Sequence, residues 1–214
     1  MKVAMIGSGN IGQALGGALV NAGHDVTLAA RDAGEAETVA ETIGAATAAT
    51  AAEALTGADV VVLAVPYTAL EAVAAEIKDG VAGKVVIDVS NPMAQAPADS
   101  SAAEQLAGWL PGAKVVKAFN TTFAGLIAKP TAHGQTLDAL YATSDPDAGR
   151  TVATLIRSIG FRPVFAGPLS AARQMEAMAG LNIQLQIATK GDWRSSFVLV
   201  GAPDAAIGDL LKAA

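Results

Sequence analysis

The sequence predicts a doubly wound α/β fold built on a parallel sheet, and three observations predict it. Short apolar runs rich in Val, Ile and Leu alternate with amphipathic segments along most of the chain. Near-continuous apolar runs suit parallel strands, which helices cover on both faces. The alternation of strand with helix also demands right-handed crossovers, and these wind helices onto both sides of one sheet.

The elements follow in order. Residues 2–6 read as a strand, 10–21 as a helix, 25–29 as a second strand and 34–43 as a second helix. The third strand spans 59–65, and Val60 to Pro66 is the longest clean apolar run. A helix over 68–77 leads to a fourth strand at 84–89. A helical pattern over 101–109 separates it from a fifth strand at 114–119, and 136–142 reads as a sixth. Pro146 falls in the first turn of a helix over 146–159, where its missing N–H leaves no bond unmade. Residues 161–165 form a short strand and 169–190 a long helix carrying Met175, Met178, Leu181 and Leu185. Residues 197–200 are expected to close the sheet as a strand. The alanine-rich stretch 45–54 is short, and alanine forms helix well, so disorder is not required.

Composition removes several classes of function. With 52% hydrophobic and 16% charged residues, the chain buries a core. Its net charge of -6 argues against a nucleic-acid partner, because phosphate backbones are repelled. The N-terminal apolar stretch is too short for a signal sequence and is broken by glycine. No window reaches the roughly 18 apolar residues of a membrane span. The absence of cysteine excludes disulfides, thiolate metal sites and cysteine nucleophiles, and fits a cytoplasmic location.

The first strand runs into Gly7-Ser8-Gly9-Asn10-Ile11-Gly12, which fits G-x-G-x-x-G in its required place between a strand and a helix. Gly7 makes the tight turn, Gly9 lets backbone approach a pyrophosphate, and Gly12 lets helix and strand pack closely. The helix start offers free N–H groups and partial positive charge to the phosphates. This is the Rossmann type of dinucleotide site. The second strand ends in Ala30-Arg31, where an NAD enzyme carries a carboxylate for the ribose 2′-OH. Alanine leaves room, and the guanidinium can fork onto a 2′-phosphate, so NADP(H) is the expected dinucleotide. Residues 1–143 are accordingly expected to form the NADP-binding Rossmann domain. Residues 144–214 would form a small C-terminal α/β cap that completes the sheet and an acceptor cleft.

Ligands of such sheets sit outside the carboxyl ends of the strands. Those ends read Val65-Pro66-Tyr67, Ser90-Asn91-Pro92-Met93 and Ala118-Phe119-Asn120-Thr121-Thr122. The prolines stiffen two loops, and Asn91 and Asn120 offer uncharged amides to a carboxamide or ring carbonyl. Lys117 stands inside an apolar strand and needs a partner, Asp88 or Asp138. It is a structural ion pair or a charge set near an acceptor ring. His24 reads as a turn residue, and His133 lacks an orienting carboxylate. Neither tyrosine, Tyr67 nor Tyr141, has a lysine four residues later, so a tyrosine–lysine carbonyl reductase is disfavoured.

These residues together resemble a known family. The glycine motif, Ala30-Arg31, Asp88-Val89-Ser90-Asn91-Pro92 and the strand running from Lys114 to Thr121 look like the NADP oxidoreductases that depend on coenzyme F420, a deazaflavin. Gly167-Pro168-Leu169, Ala172-Arg173 and Glu176 are similar to that family's last helix. The resemblance covers nearly the whole chain. It implies hydride transfer between nicotinamide and the deazaflavin or a flavin-like acceptor, with no catalytic side chain, in a homodimer. Gly7 to Gly12 and Arg31 match the NADP site; Val65, Pro66, Asn91, Pro92, Ala118, Phe119 and Asn120 match positions near the stacked rings. Members often carry further basic residues after the arginine, whereas Asp32-Ala33-Gly34-Glu35 follows here. Two other readings remain open: an NADPH-dependent reductase of a small carbonyl or imine, and a non-catalytic NADPH-sensing module.

Overall fold

The computed structural model describes residues 1–95, 99–132 and 134–201. The first half comprises β1 (Lys2–Ile6), α1 (Asn10–Asn21), β2 (Asp25–Ala29), α2 (Ala33–Ile43), β3 (Ala46–Thr47), α3 (Ala51–Ala54), β4 (Val60–Leu63), α4 (Tyr67–Ile77) and β5 (Val85–Asp88). Next come α5 (Ala102–Trp109), β6 (Lys114–Ala118), α6 (Ala124–Ile127), β7 (Thr131–Ala132) and β8 (Gln135–Thr136). The chain continues through β9 (Asp138–Ala142), α7 (Pro146–Ser158), β10 (Arg162–Gly167) and α8 (Ala172–Thr189). The main sheet has the order β10-β9-β6-β5-β4-β1-β2-β3, while β7 and β8 pair as a separate hairpin. From β3 to β6 every pairing is parallel. That is the Rossmann order, with its switch point at β1, where the winding reverses.

Strand periodicity divides the core into two layers. Val3, Met5, Val60 and Val62 point to one face, and Ala4, Ile6, Val61 and Leu63 to the other. Both faces are dry, so β4 and β5 are buried at every residue. Helix starts follow local chemistry. Asp32 caps α2 by accepting the Glu35 N–H at 3.0 Å. Asp145 caps α7 ahead of Pro146. Ser101 and Glu104 form a reciprocal capping box on α5.

Two expectations need correction. The sheet is not parallel throughout: β9 runs antiparallel to β6, and β10 then runs parallel to β9. A parallel return needs a crossover that spans the sheet. The connection from β6 holds only the single-turn α6 and the β7–β8 hairpin, and the chain comes back as the neighbouring antiparallel strand. Residues 197–200 form no strand. The Leu199 N–H donates to Asp138 Oδ2 at 2.6 Å, and its carbonyl accepts from Arg162 at 2.7 Å, so side chains pin this segment to the edge. On α8 the buried face is Ala172, Met175, Ala179, Asn182 and Gln186, whereas Leu181 and Leu185 are exposed. The alanine-rich stretch is ordered, as β3 and α3.

The α5 capping box also anchors α8. The Arg173 guanidinium donates to both Glu104 oxygens at 2.8 Å. That guanidinium, helped by Ser101 and opposed by partial burial, holds the Glu104 carboxyl below the ordinary glutamate value. Folded protein then binds fewer protons there than unfolded protein. The stabilisation is complete above the ordinary value of 4.5 and is lost as the pH falls through the depressed one. We expect Arg173→Gln to melt below wild type at neutral pH and to converge with it in acid. Ser101→Ala should lower unfolding free energy by about 1 kcal/mol in urea titrations.

Candidate functional site

The glycine turn is held in place by its backbone. Gly7 has φ +117°, and a Cβ there would overlap the Ala64 carbonyl oxygen at the end of β4. A Cβ on Gly12 would overlap the Gly7 carbonyl oxygen. Gly7 is therefore fixed by its backbone conformation and by packing, and Gly12 by packing. Gly9 differs: it is the N-cap of α1, has no side-chain cap, and nothing lies within 4 Å of its missing Cβ. The free N–H groups of the first helical turn face open space, which suits a pyrophosphate. Ser8 is buried, Asn10 exposed and Ile11 half-buried around this cradle. The Gly7 N–H donates to the Ala29 carbonyl at 2.8 Å, which brings the end of β2 beside the turn. Half-buried Ala30 and exposed Arg31 follow at once. Asp32 is committed to capping α2, whereas Arg31 forms no ion pair among the described residues.

At the neighbouring strand ends lies a pocket of about 180 Å³, walled by Ile11, Asn91, Phe119, Asn120, Phe123 and Asn182 among others. Two amides interlock in its wall. The Asn91 side chain donates to the Asn120 carbonyl at 2.9 Å, and the Asn120 Nδ2 donates back to Asn91 Oδ1 at 2.9 Å. Asn120 Nδ2 also donates to the Met175 carbonyl of α8 at 3.1 Å. Both amide protons are thus used, and Asn120 Oδ1 is buried without a partner, as is Thr122 Oγ1. Buried acceptors without partners are costly unless a ligand supplies a donor. Phe119, with φ +61°, adopts a left-handed conformation that is rare for a bulky residue. Strain of this kind concentrates at ligand sites.

Beneath the pocket is a buried charge cluster. Lys117 Nζ lies 2.8 Å from Asp88 Oδ2, 2.7 Å from Glu176 Oε1 and 2.5 Å from the Ser90 carbonyl oxygen. Glu176 also accepts the Ala102 N–H at the start of α5. Burial pushes the Glu176 carboxyl above its ordinary range; the Lys117 ammonium opposes this, and the Asp88 charge adds to it. Asp138, the other partner considered for Lys117, pairs with Arg162 instead.

With this geometry in hand, comparison with known proteins gives a consistent result. Residues 2–92 match the family model described as "NADP oxidoreductase coenzyme F420-dependent". The F420-dependent NADP reductase of Methanothermobacter thermautotrophicus is 34% identical over 209 residues, covering 87% of this chain and 90% of that protein. The chain belongs to the F420-dependent NADP oxidoreductase family. A crystal structure assigned as an F420-dependent NADP reductase from Arthrobacter sp. FB24 superposes with a TM-score of 0.84 at 28% identity, covering 93% of this chain and 99% of that one. The Metalloreductase STEAP3 of Rattus norvegicus is 31% identical over 182 residues, or 83% of this chain, and the chain spans only 36% of that protein's length.

For this family member the sequence-derived site divides in two. Gly7 to Gly12 and Ala30-Arg31 gather at the cradle. Ile11, Asn91, Phe119 and Asn120 gather at the pocket. Val65 sits beside Gly7, its Cγ1 3.3 Å from where a Gly7 Cβ would stand, and Pro66 is the N-cap of α4. Pro92 and Ala118 are buried. The α8 wall, Ala179, Asn182 and Ile183, was missed. Its signal was Asn182 standing in register with Met175 and Ala179. Met175 is core, packed with Leu140 and Ala142. His24 is half-buried and bonds Ser158 at 2.8 Å. His133 lies outside the described residues. No group of three or more metal-ligating side chains exists among the described residues. We expect Gly12→Ala to destabilise the fold by about 1–3 kcal/mol, because backbone must move. Gly9→Ala should cost at most about 1 kcal/mol, the loss of a good N-cap. Denaturant midpoints of the two variants check this.

Proposed function

We propose that this chain transfers hydride between NADP(H) and the deazaflavin of coenzyme F420. The observation that carries the reading is that one helix serves both sites: α1 opens the phosphate cradle at Gly9 and walls the pocket with Ile11. The first turn of α1 would hold the pyrophosphate, and Arg31 the 2′-phosphate. The strand-end pocket, with its uncharged walls and one unpaired amide oxygen, would take the nicotinamide. When both are bound, the two cofactors supply the hydride chemistry. What the protein adds is proximity and orientation, so no side-chain acid or base is needed. Reduction of a carbonyl or imine calls for a proton donor, and the Tyr67 hydroxyl is already given to Gln105 at 2.7 Å. A flavin could replace the deazaflavin in the same slot.

Residues 1–143 are read as the dinucleotide part and 144–214 as the cap that supplies the α8 wall. The exposed Leu181, Leu185 and Ile187 support a homodimer through α8. No helix among the described residues is long and apolar enough to cross a membrane. The lack of cysteine supports a cytoplasmic setting.

Mixed with NADPH and F420, the protein should bleach the deazaflavin's visible absorbance; absence of turnover with F420, FMN and FAD alike removes the reading. Arg31→Glu should weaken NADPH by on the order of 2–3 kcal/mol while sparing NADH, as judged by titration calorimetry.

A further inference from the structure

The Lys117 ammonium has three protons and three acceptors, on Asp88, Ser90 and Glu176. It is fully buried. It has no donor left for a ligand, so any role it plays is exerted through its partners.

Two of those partners lead to the same atom. Ser90 is held through both of its backbone groups: its N–H donates to Asp88 Oδ1 at 2.8 Å, and its carbonyl accepts from Lys117. This fixes the next residue, Asn91, whose Oδ1 accepts one proton of Asn120 Nδ2. On the other side, Lys117 holds Glu176 of α8, and the preceding residue, Met175, accepts the second Asn120 proton through its carbonyl. The Asn120 amide is therefore clamped between two residues, each positioned by a neighbour that Lys117 binds. Only one orientation satisfies both acceptors, and it leaves Asn120 Oδ1 bare.

We propose that Lys117 is a positioning residue for the nicotinamide: through Ser90–Asn91 and Glu176–Met175 it fixes Asn120 so that Oδ1 accepts an N–H of the ring's carboxamide. This rests on the NADP reading above. It excludes direct tuning of the acceptor ring by the ammonium. Without the charge cluster, the amide could turn or shift, and the carboxamide would lose its acceptor while the adenosine end kept all its contacts.

Lys117→Met alone strands two buried carboxylates and endangers the fold. Asp88→Asn/Lys117→Met/Glu176→Gln removes all three charges together and keeps the shapes. Its binding is measured with two ligands, NADPH and adenosine 2′,5′-bisphosphate; the second carries the 2′-phosphate but no nicotinamide. The expected result is an NADPH Kd raised about tenfold, or about 1.4 kcal/mol, with the bisphosphate Kd unchanged. Adding Asn120→Ala to the triple variant should then cost nothing further, since both changes remove one contact. Equal weakening of both ligands, unchanged binding of both, or a full additional loss from Asn120→Ala overturns the proposal. If the wild-type protein binds neither ligand, the NADP reading itself falls; if it binds the two equally, the reading survives and the Lys117 proposal does not.

Discussion

The approach of α1 to the end of β1, with Gly12 against the Gly7 carbonyl, sets the position of everything around the cradle. Helix and strand can meet this closely only without a side chain at either residue. The contact places the first turn of α1 over the gap between β1 and β4, where strand order runs outward in both directions. Crevices at such switch points take ligands because the flanking loops diverge there. The Ala64 carbonyl presses on Gly7 from β4, and the Ala29 carbonyl holds the Gly7 N–H from β2. The turn is fixed from both sides, which leaves Gly9 as the one open glycine of the three.

A second constraint is electrostatic. Two carboxylates share one ammonium at the contact of β5, β6, α5 and α8. Desolvating three charges is expensive, and an apolar cluster of equal volume packs as well or better. What the charges add is direction. An ammonium fixes three oxygens at defined distances, whereas a methyl group fixes none. Elements from distant parts of the chain are thereby locked in register beside the pocket. The excess carboxylate shows in Glu176, whose affinity for a proton rises with burial.

Much of this was legible in the sequence, and the reason lies in locality. The cradle depends on six consecutive residues with a strand before and a helix after, so Gly7 to Gly12 announces itself. Arg31 could be placed beside that turn because it stands two residues past the end of the second strand. Asp32 follows it, and its carboxylate is spent on the start of α2. The direction of β9 was hidden, because a fully buried strand reads the same whether it pairs parallel or antiparallel. The buried face of α8 was not readable for a similar reason. Apolarity picks out Leu181 and Leu185, yet Asn182 and Gln186 face inward because the 191–198 segment folds back to bond them through Ser195. Asp88 was foreseen as a partner of Lys117 from adjacent strands. Glu176 lies 59 positions further along, and no periodicity links the two.

The reversal at β9 has a consequence for how the molecule can diverge. Because the chain descends beside β6 and ends β10 at the far edge, α8 must climb past Lys117 before it reaches the pocket. The α8 side of the pocket is thus supplied by Ala179, Asn182 and Ile183, far along the chain from the glycine turn at Gly7 to Gly12. A lineage can alter the α8 wall of the pocket while inheriting the glycine turn intact.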